Sequence, residues 1–227
     1  MNNLNFYKET FKKDLKIALS YRIQFIFSIF SIFIIIFFIF IFSNLFESGN
    51  SNILDRYGGS YFIFLLIGFI TAEVTFFLLN TMPNKVREYQ LTGIFEELIM
   101  SGRKEVEIIL GCLLYPSSFQ VMRLLVYAIC LYFTPVDLSL LSNLSLVTLI
   151  SFIIFCISIV GISLISAAVT ITYKAPSIIN SIYLSVTSIL SGVAFPVELL
   201  PRFLIILGEF LPSTQFLKII RSDAVLE

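Results

Sequence analysis

The chain reads as long apolar runs separated by short polar ones, and the run lengths predict its elements. Between Arg22 and Glu47 lie 24 residues without a charge, among them FIFSIFSIFIIIFFIFIF. A helix needs roughly 20 apolar residues to cross a bilayer core of about 30 Å. Further runs predict a second span at about 61–80, a third at about 108–133, a fourth at about 144–173 and a fifth at about 177–195. The runs are continuously apolar rather than alternating, which predicts helices and argues against an outer-membrane barrel. The first run is too long for the apolar core of a signal peptide and no A-x-A-like site follows it, so it is expected to remain as an anchor. The tail, LPRFLIILGEFLPSTQFLKIIR, is apolar but interrupted, and pieces such as FLIILG are too short to cross. The expected fold is an all-α integral membrane protein: an N-terminal interfacial helix, five transmembrane helices and one broken segment.

The polar stretches have patterns of their own. Leu4, Tyr7, Phe11, Leu15 and Ala18 recur at spacings of three or four and predict one apolar stripe on a helix within residues 1–22. Lys8 and Lys12 flank that stripe, with Lys13 and Lys16 further round, as on a helix lying in the membrane interface. The stretch NKVREYQLTGIFEELIMSGRKEVEIILG is too polar to cross, yet Val86, Leu91, Phe95, Leu98 and Ile99 are spaced like an amphipathic helix. Glu88, Glu96, Glu97, Arg87, Arg103 and Lys104 would decorate its other face. Gly93 and Gly102 punctuate it, predicting two short helices joined by a turn. Held crosswise below the membrane, residues 84–107 would form a docking surface for a cytoplasmic partner; the alternative is a solvated connector.

Composition agrees with the runs: 58% of the 227 residues are hydrophobic and 13% are charged, against about a quarter in ordinary soluble domains. The net charge of zero conceals a segregation. Residues 1–22 carry Lys8, Lys12, Lys13, Lys16 and Arg22, while the loop after the first span carries only Arg56. The next loop has Lys85, Arg87, Arg103 and Lys104, the one around 134–143 has none, and Lys174 marks the turn between spans four and five. The excess of basic residues on alternate loops predicts a cytoplasmic N-terminus. The balance gives no reason to expect a nucleic-acid partner.

Candidate chemistry is sparse. Cys112, Cys130 and Cys156 fall inside predicted spans without zinc or CxxC spacing, and there is no histidine, so neither a metal site nor a histidine-based triad is expected. No G-x-x-x-x-G-K-[ST] loop is present, so the chain is not expected to bind ATP itself. Gly58 and Gly59 read as a turn. Two ionisable groups lie within predicted spans, Glu73 and Arg123, and each should face protein or water. Counting depth from the ends of the predicted spans puts Glu73 roughly 10 Å and Arg123 roughly 22 Å from the inner face. That mismatch favours separate roles over a pair. Ser177, Ser181, Ser185, Ser188 and Gly192 form a small-residue stripe, which suits close helix packing or, alternatively, the lining of a path between two subunits.

The tail explains its own interruption in part. Pro196 and Pro201 lack an N–H, so the fifth span should end near Phe195. Irregular backbone at membrane depth persists only where protein or water satisfies it. Residues 196–221 therefore read as short helices dipping back into the membrane, with Glu198 and Glu209 at the water boundary. Gly192, Pro196, Pro201 and Pro212 shape the turns. The segment would be an outer lid that gates or a structural cap.

Two stretches carry a resemblance. TGIFEELIMSGRKEVEIILG resembles the cytoplasmic signature of ABC-2 type permeases, the membrane subunits of many bacterial ABC exporters. Gly93, Phe95, Glu96, Glu97, Leu98 and Ser101 fit, whereas Ile94 stands where threonine is common and Gly102 where proline is. SGVAFPVELLPRFLIILGEFLPSTQFLKIIR is similar to the family's extracytoplasmic segment through Ser191, Gly192, Pro196, Leu200, Pro201, Pro212 and Arg221. The amphipathic N-terminus resembles the family's connecting helix.

The resemblance implies a single ABC-2 type transmembrane domain over residues 1–227 with a coupling helix that inserts into an ATPase subunit. Glu88, Gly93, Phe95, Glu96, Glu97 and Leu98 would make that contact. It implies no catalysis in this chain, ATP and magnesium on a separate cytoplasmic ABC ATPase, a second permease copy in a homodimer or heterodimer, and surrounding membrane lipids. The site would be the bacterial cytoplasmic membrane. The expected activity is export of an amphipathic or lipid-like substrate such as a drug, a peptide antibiotic or a lipid-linked glycan. The family's sixth span is missing after Arg221, which is read as truncation. An ion-coupled secondary transporter using Glu73 and Arg123 is the alternative; a membrane-embedded transferase would need clustered acids or a histidine, which the sequence lacks.

Overall fold

A computed structural model describes residues 3–47, 61–100, 102, 105–132, 145–173 and 177–225. The described residues are helical throughout, apart from turns. In chain order they form α1 (Asn3–Ser20), α2 (Arg22–Glu47), α3 (Tyr61–Thr92), α4 (Ile94–Met100), α5 (Glu105–Tyr132), α6 (Leu146–Tyr173) and α7 (Ser177–Leu190). A 3-10 turn at Val197–Leu199 leads to α8 (Arg202–Glu209) and α9 (Pro212–Val225). The turn expected at Gly58 and Gly59, the loop at 134–143, and the basic residues Arg56, Arg103, Lys104 and Lys174 lie outside the described residues.

Among the described residues, four helices, α2, α3, α5 and α6, are long and apolar enough to cross a bilayer. The fifth predicted span is shorter than expected. α7 has 14 residues, about 21 Å at 1.5 Å per residue, against a core of about 30 Å. The broken tail follows it as α8 and α9, which meet at 94°. The chain is thus a multi-pass all-α membrane protein with a sharply bent pair of helices completing one corner.

α3 is the hub, packed against α2, α5, α6, α7 and α9. Its first eight residues, Tyr61 to Gly68, are all buried, as suits a helix that is apolar on every side. One core joins Ile32 and Ile39 of α2, Phe62 and Leu65 of α3, Tyr127 of α5 and Leu217 of α9. A second joins Val74 and Leu79 of α3, Phe155 and Ile159 of α6, and Phe216 of α9. Phe216 stacks on Phe155 with ring centroids 5.1 Å apart. α2, by contrast, turns Phe27, Phe30, Phe33 and Phe37 outward.

α3 passes through Pro83 without ending. Proline has no N–H, so the Leu79 carbonyl one turn earlier loses its intrahelical donor. Ser163 Oγ of α6 donates to it at 3.0 Å and Asn180 Nδ2 of α7 at 3.3 Å. Asn180 also donates to Asn80 Oδ1 at 2.8 Å and accepts from Ser166 Oγ at 2.6 Å. A freed carbonyl in an apolar setting needs such partners, and here they fasten three helices together.

α1 forms where the periodicity places it but presents a different face. It packs on α5 and α2. Phe6 sits against Gly111, where a Cβ would come within 3.0 Å of Phe6 Cε1. Phe11 meets Tyr115 edge-on at 6.0 Å. The inward face follows Phe6, Tyr7, Thr10, Phe11 and Asp14, whereas Leu15 is exposed. The apolar stripe of the sequence is therefore rotated by part of a turn, and its most buried member is an aspartate, 3% exposed.

Candidate functional site

At the end of the bundle that carries α1, the tail of α3 runs on to Thr92 and stops at Gly93, whose φ is +73°. Gly102 closes α4 with φ +69°. A Cβ would meet nothing within 4 Å at either glycine, so it is the left-handed backbone that calls for glycine. The expected pair of short helices is thus the tail of α3 followed by α4. α4 packs against α3, and its Ile94 enters a groove of about 350 Å³ with Phe6, Thr10, Lys13, Tyr89 and Ile108. Glu96 and Glu97 are exposed, in the first turn of α4, where carboxylates favour the positive end of the helix. The side chains of Phe95 and Leu98 lie outside the described residues. Glu88 is paired with Lys85 at 2.9 Å on α3.

Lys85 also faces Asp14 at 3.7 Å. The stripe read from the sequence omits Asp14, although its spacing from Phe11 and Ala18 places it on that face. A carboxylate at a core-facing register was the available signal.

Midway along the bundle, the structure brings the two intramembrane charges together. Arg123 Nε lies 2.8 Å from Glu73 Oε1, with both side chains less than a fifth exposed. Arg123 Nη1 donates to Ser28 Oγ of α2 at 2.9 Å, and the buried Tyr127 interacts with both charges. This corrects the expectation of separate roles. The depth count failed because it started from the ends of the apolar runs, whereas α3 runs twelve residues past the end of its own, to Thr92. Glu73 lies nineteen residues above Thr92 and Arg123 eighteen above Glu105, or about 28 and 27 Å along the two helices. Measured from the shared α4 connection, the charges are level. They line a cavity of about 340 Å³ with Phe69, Thr75, Thr187 and Ser188.

At the opposite end, α7 stops at Leu190, five residues before the expected Phe195. Ser191 N still bonds Thr187 O at 2.9 Å, but Gly192 turns to φ +77°, where a Cβ would come 2.5 Å from Val197 Cγ2. A left-handed glycine, not the first proline, ends the helix. The carbonyls freed beyond it are collected by distant side chains. Arg221 Nη1 donates to Gly192 O at 2.7 Å, and its Nη2 donates to Val193 O at 3.3 Å and Phe64 O at 3.1 Å. The guanidinium lies 3.5 Å from the Phe64 ring centroid. Tyr61 Oη donates to Ala194 O at 2.7 Å. Gly68 lets the segment approach α3, since a Cβ there would fall 2.1 Å from Val193 O.

The prolines have the roles of starters. Pro196 precedes the 3-10 turn, Pro201 precedes α8, and Pro212 opens α9, where its missing N–H costs nothing. Glu198 and Glu209 are both exposed. Glu209 pairs with Lys218 at 3.2 Å across the bend. At its far end, α9 is tied to α6 by hydrogen bonds from Ser145 Oγ and Thr148 Oγ1 to Asp223. Of the small-residue stripe, Gly192 is buried against Val197. Asn180 and Thr187 are buried, whereas Ser181, Ser185 and Ser188 are exposed; the side chain of Ser177 lies outside the described residues.

A short helix between two left-handed glycines at one end and a sharply bent helix pair at the other lie in the two stretches that carried the resemblance. The family model for the ABC-2 type transporter matches residues 10–223. The chain belongs to that family. No curated protein and no solved structure matches it. As an ABC-2 membrane domain the chain is a permease component of an ABC transporter, and such permeases generally work with a cytoplasmic ABC ATPase. Membership also sets aside the alternative of an ion-coupled secondary transporter using Glu73 and Arg123.

Proposed function

We propose that the chain is the permease of an ATP-driven exporter that moves an amphipathic or lipid-like substrate out of the cytoplasm. Two permease copies and two ATPase subunits form the working unit, with ATP and magnesium held by the ATPases. The observation that supports this most is α4, a seven-residue helix set between two left-handed glycines with its carboxylates turned to solvent. Such a helix moves as a lever with little bending of its neighbours. Closure of the ATPase pair pushes α4, and α3 transmits the push because α3 contacts nearly every other element. The glycine-ended α7 and the α8–α9 pair cap the opposite, extracytoplasmic mouth. The basic N-terminal helix and α4 then face the cytoplasm, following the positive-inside rule.

Docking on exposed carboxylates gives a direct test. The double charge reversal Glu96→Lys, Glu97→Lys is expected to weaken co-purification of the partner ATPase by at least about tenfold, because like-charge contacts cost several kcal/mol at an interface. Undiminished ATPase recovery with the double variant would refute α4 as the docking element.

A further inference from the structure

The strongest unassigned feature is a cavity at the α4 end of the bundle, separate from both the coupling helix and the re-entrant cap. It holds about 380 Å³ between α1, α2, α3 and α5, and Asp14, Lys85, Tyr21, Tyr115, Phe25 and Phe119 contribute to its lining. Asp14 is 3% exposed, and among the described residues neither of its oxygens accepts a hydrogen bond. A buried carboxylate without donors is costly, so the site is built for something that supplies them.

The charges around Asp14 point to the sign of that group. Its ion pair with Lys85 is long, 3.7 Å, while Lys85 lies closer to Glu88, at 2.9 Å. One ammonium thus serves two carboxylates. Lys13, the neighbour in sequence, is turned over the Tyr89 ring at 5.1 Å. Asp14 is the acidic residue among those lining the cavity, and it lies farther from that ammonium than Glu88 does. The remaining wall is aromatic: Phe25 and Phe119 lie 5.8 Å apart, and Tyr115 stacks with Phe119 at 6.4 Å. Carboxylate and ring faces together recognise an alkylammonium.

The shape indicates how that ammonium is carried. Ile17, Tyr21 and Phe25 line it and are all exposed, so the cavity is open along the outer side of α1 and α2. From Asp14 it extends to Ser28, the residue that binds Arg123 on its other side. An apolar tail can therefore follow Phe25 and Phe77 while the head stays at Asp14. We infer that this cavity binds an amphiphile with an ammonium headgroup, an aminophospholipid of the adjoining leaflet, with Asp14 accepting its N–H groups.

The test is lipid retention by the full chain, purified in a neutral maltoside detergent and exposed to phosphatidylethanolamine or phosphatidylglycerol, read by native mass spectrometry. The wild type is expected to retain phosphatidylethanolamine at least about tenfold over phosphatidylglycerol. Asp14→Asn should abolish that preference. Ala18→Leu, which keeps the carboxylate but fills the cavity, should abolish it as well and decides the matter should the first variant fold poorly. A preference for dodecylammonium chloride over a neutral dodecyl glycoside, lost in the same variants, would support the site with a soluble amphiphile as its occupant. Equal retention of the two lipids together with no ammonium preference in the wild type, or a preference that survives both substitutions, would overturn it.

Discussion

Glu73 and Arg123 show how a single side chain is held in a setting that penalises its charge. Each is paired, and Ser28 and Tyr127 complete the group. Removing one partner leaves the other charge unpaired, the costly way to break such a bridge. Arg123→Gln alone is expected to destabilise the chain by roughly 2–4 kcal/mol, less than for a dry pair because both side chains keep some exposure. Adding Glu73→Gln should restore more than half of that loss. Thermal unfolding in detergent, followed by circular dichroism, reads both values. Additive losses in the double variant would mean that the two charges are not coupled. Both residues were legible in the sequence as intramembrane charges. Their contact was not, because depth depends on how far each helix continues beyond its apolar run.

Among the elements, the proline-containing α3 and the short α7 depend on one another. Pro83 removes the donor to Leu79 O, and Asn180 and Ser163 replace it. Asn180→Ala is expected to cost about 1–3 kcal/mol, the range for leaving a buried polar group unsatisfied. In a Pro83→Ala background the helix regains its own hydrogen bond, and the same substitution should cost less than half as much. A double-mutant cycle on the thermal midpoint measures the difference; an unchanged cost would dissociate Asn180 from the proline. The proline was visible in the sequence, but its remedy lies about a hundred residues away. The end of α7 is similar. The prolines at 196 and 201 suggested a stop near 195, whereas Gly192, held by Arg221 and packed on Val197, ends it sooner.

For the whole molecule, the two ends of the bundle differ in chemistry. One end carries α4 and the lysines of α1; the other carries the bent α8–α9 pair and Asp223. The proposed orientation predicts cysteine reactivity on the two sides of the membrane. In a cysteine-free background, Glu198→Cys should react with an impermeant maleimide in intact cells, and Glu97→Cys only after permeabilisation. The reverse labelling would invert the topology and, with it, the direction assigned to the coupling helix.

What the sequence alone determined is everything that depends on local run length and local backbone preference. The length of each apolar run marked the four spanning helices, and the amphipathic spacing marked α1. Gly93 and Gly102 marked the breaks around α4. The tertiary structure decided what depends on registry between distant segments. It levelled Glu73 with Arg123 and turned Asp14 rather than Leu15 inward. It also placed Arg221 over the carbonyls that Gly192 frees. The physical reason is the low-dielectric interior of a membrane protein. Every buried charge and freed carbonyl there must find a partner, and in this fold those partners are brought by other helices.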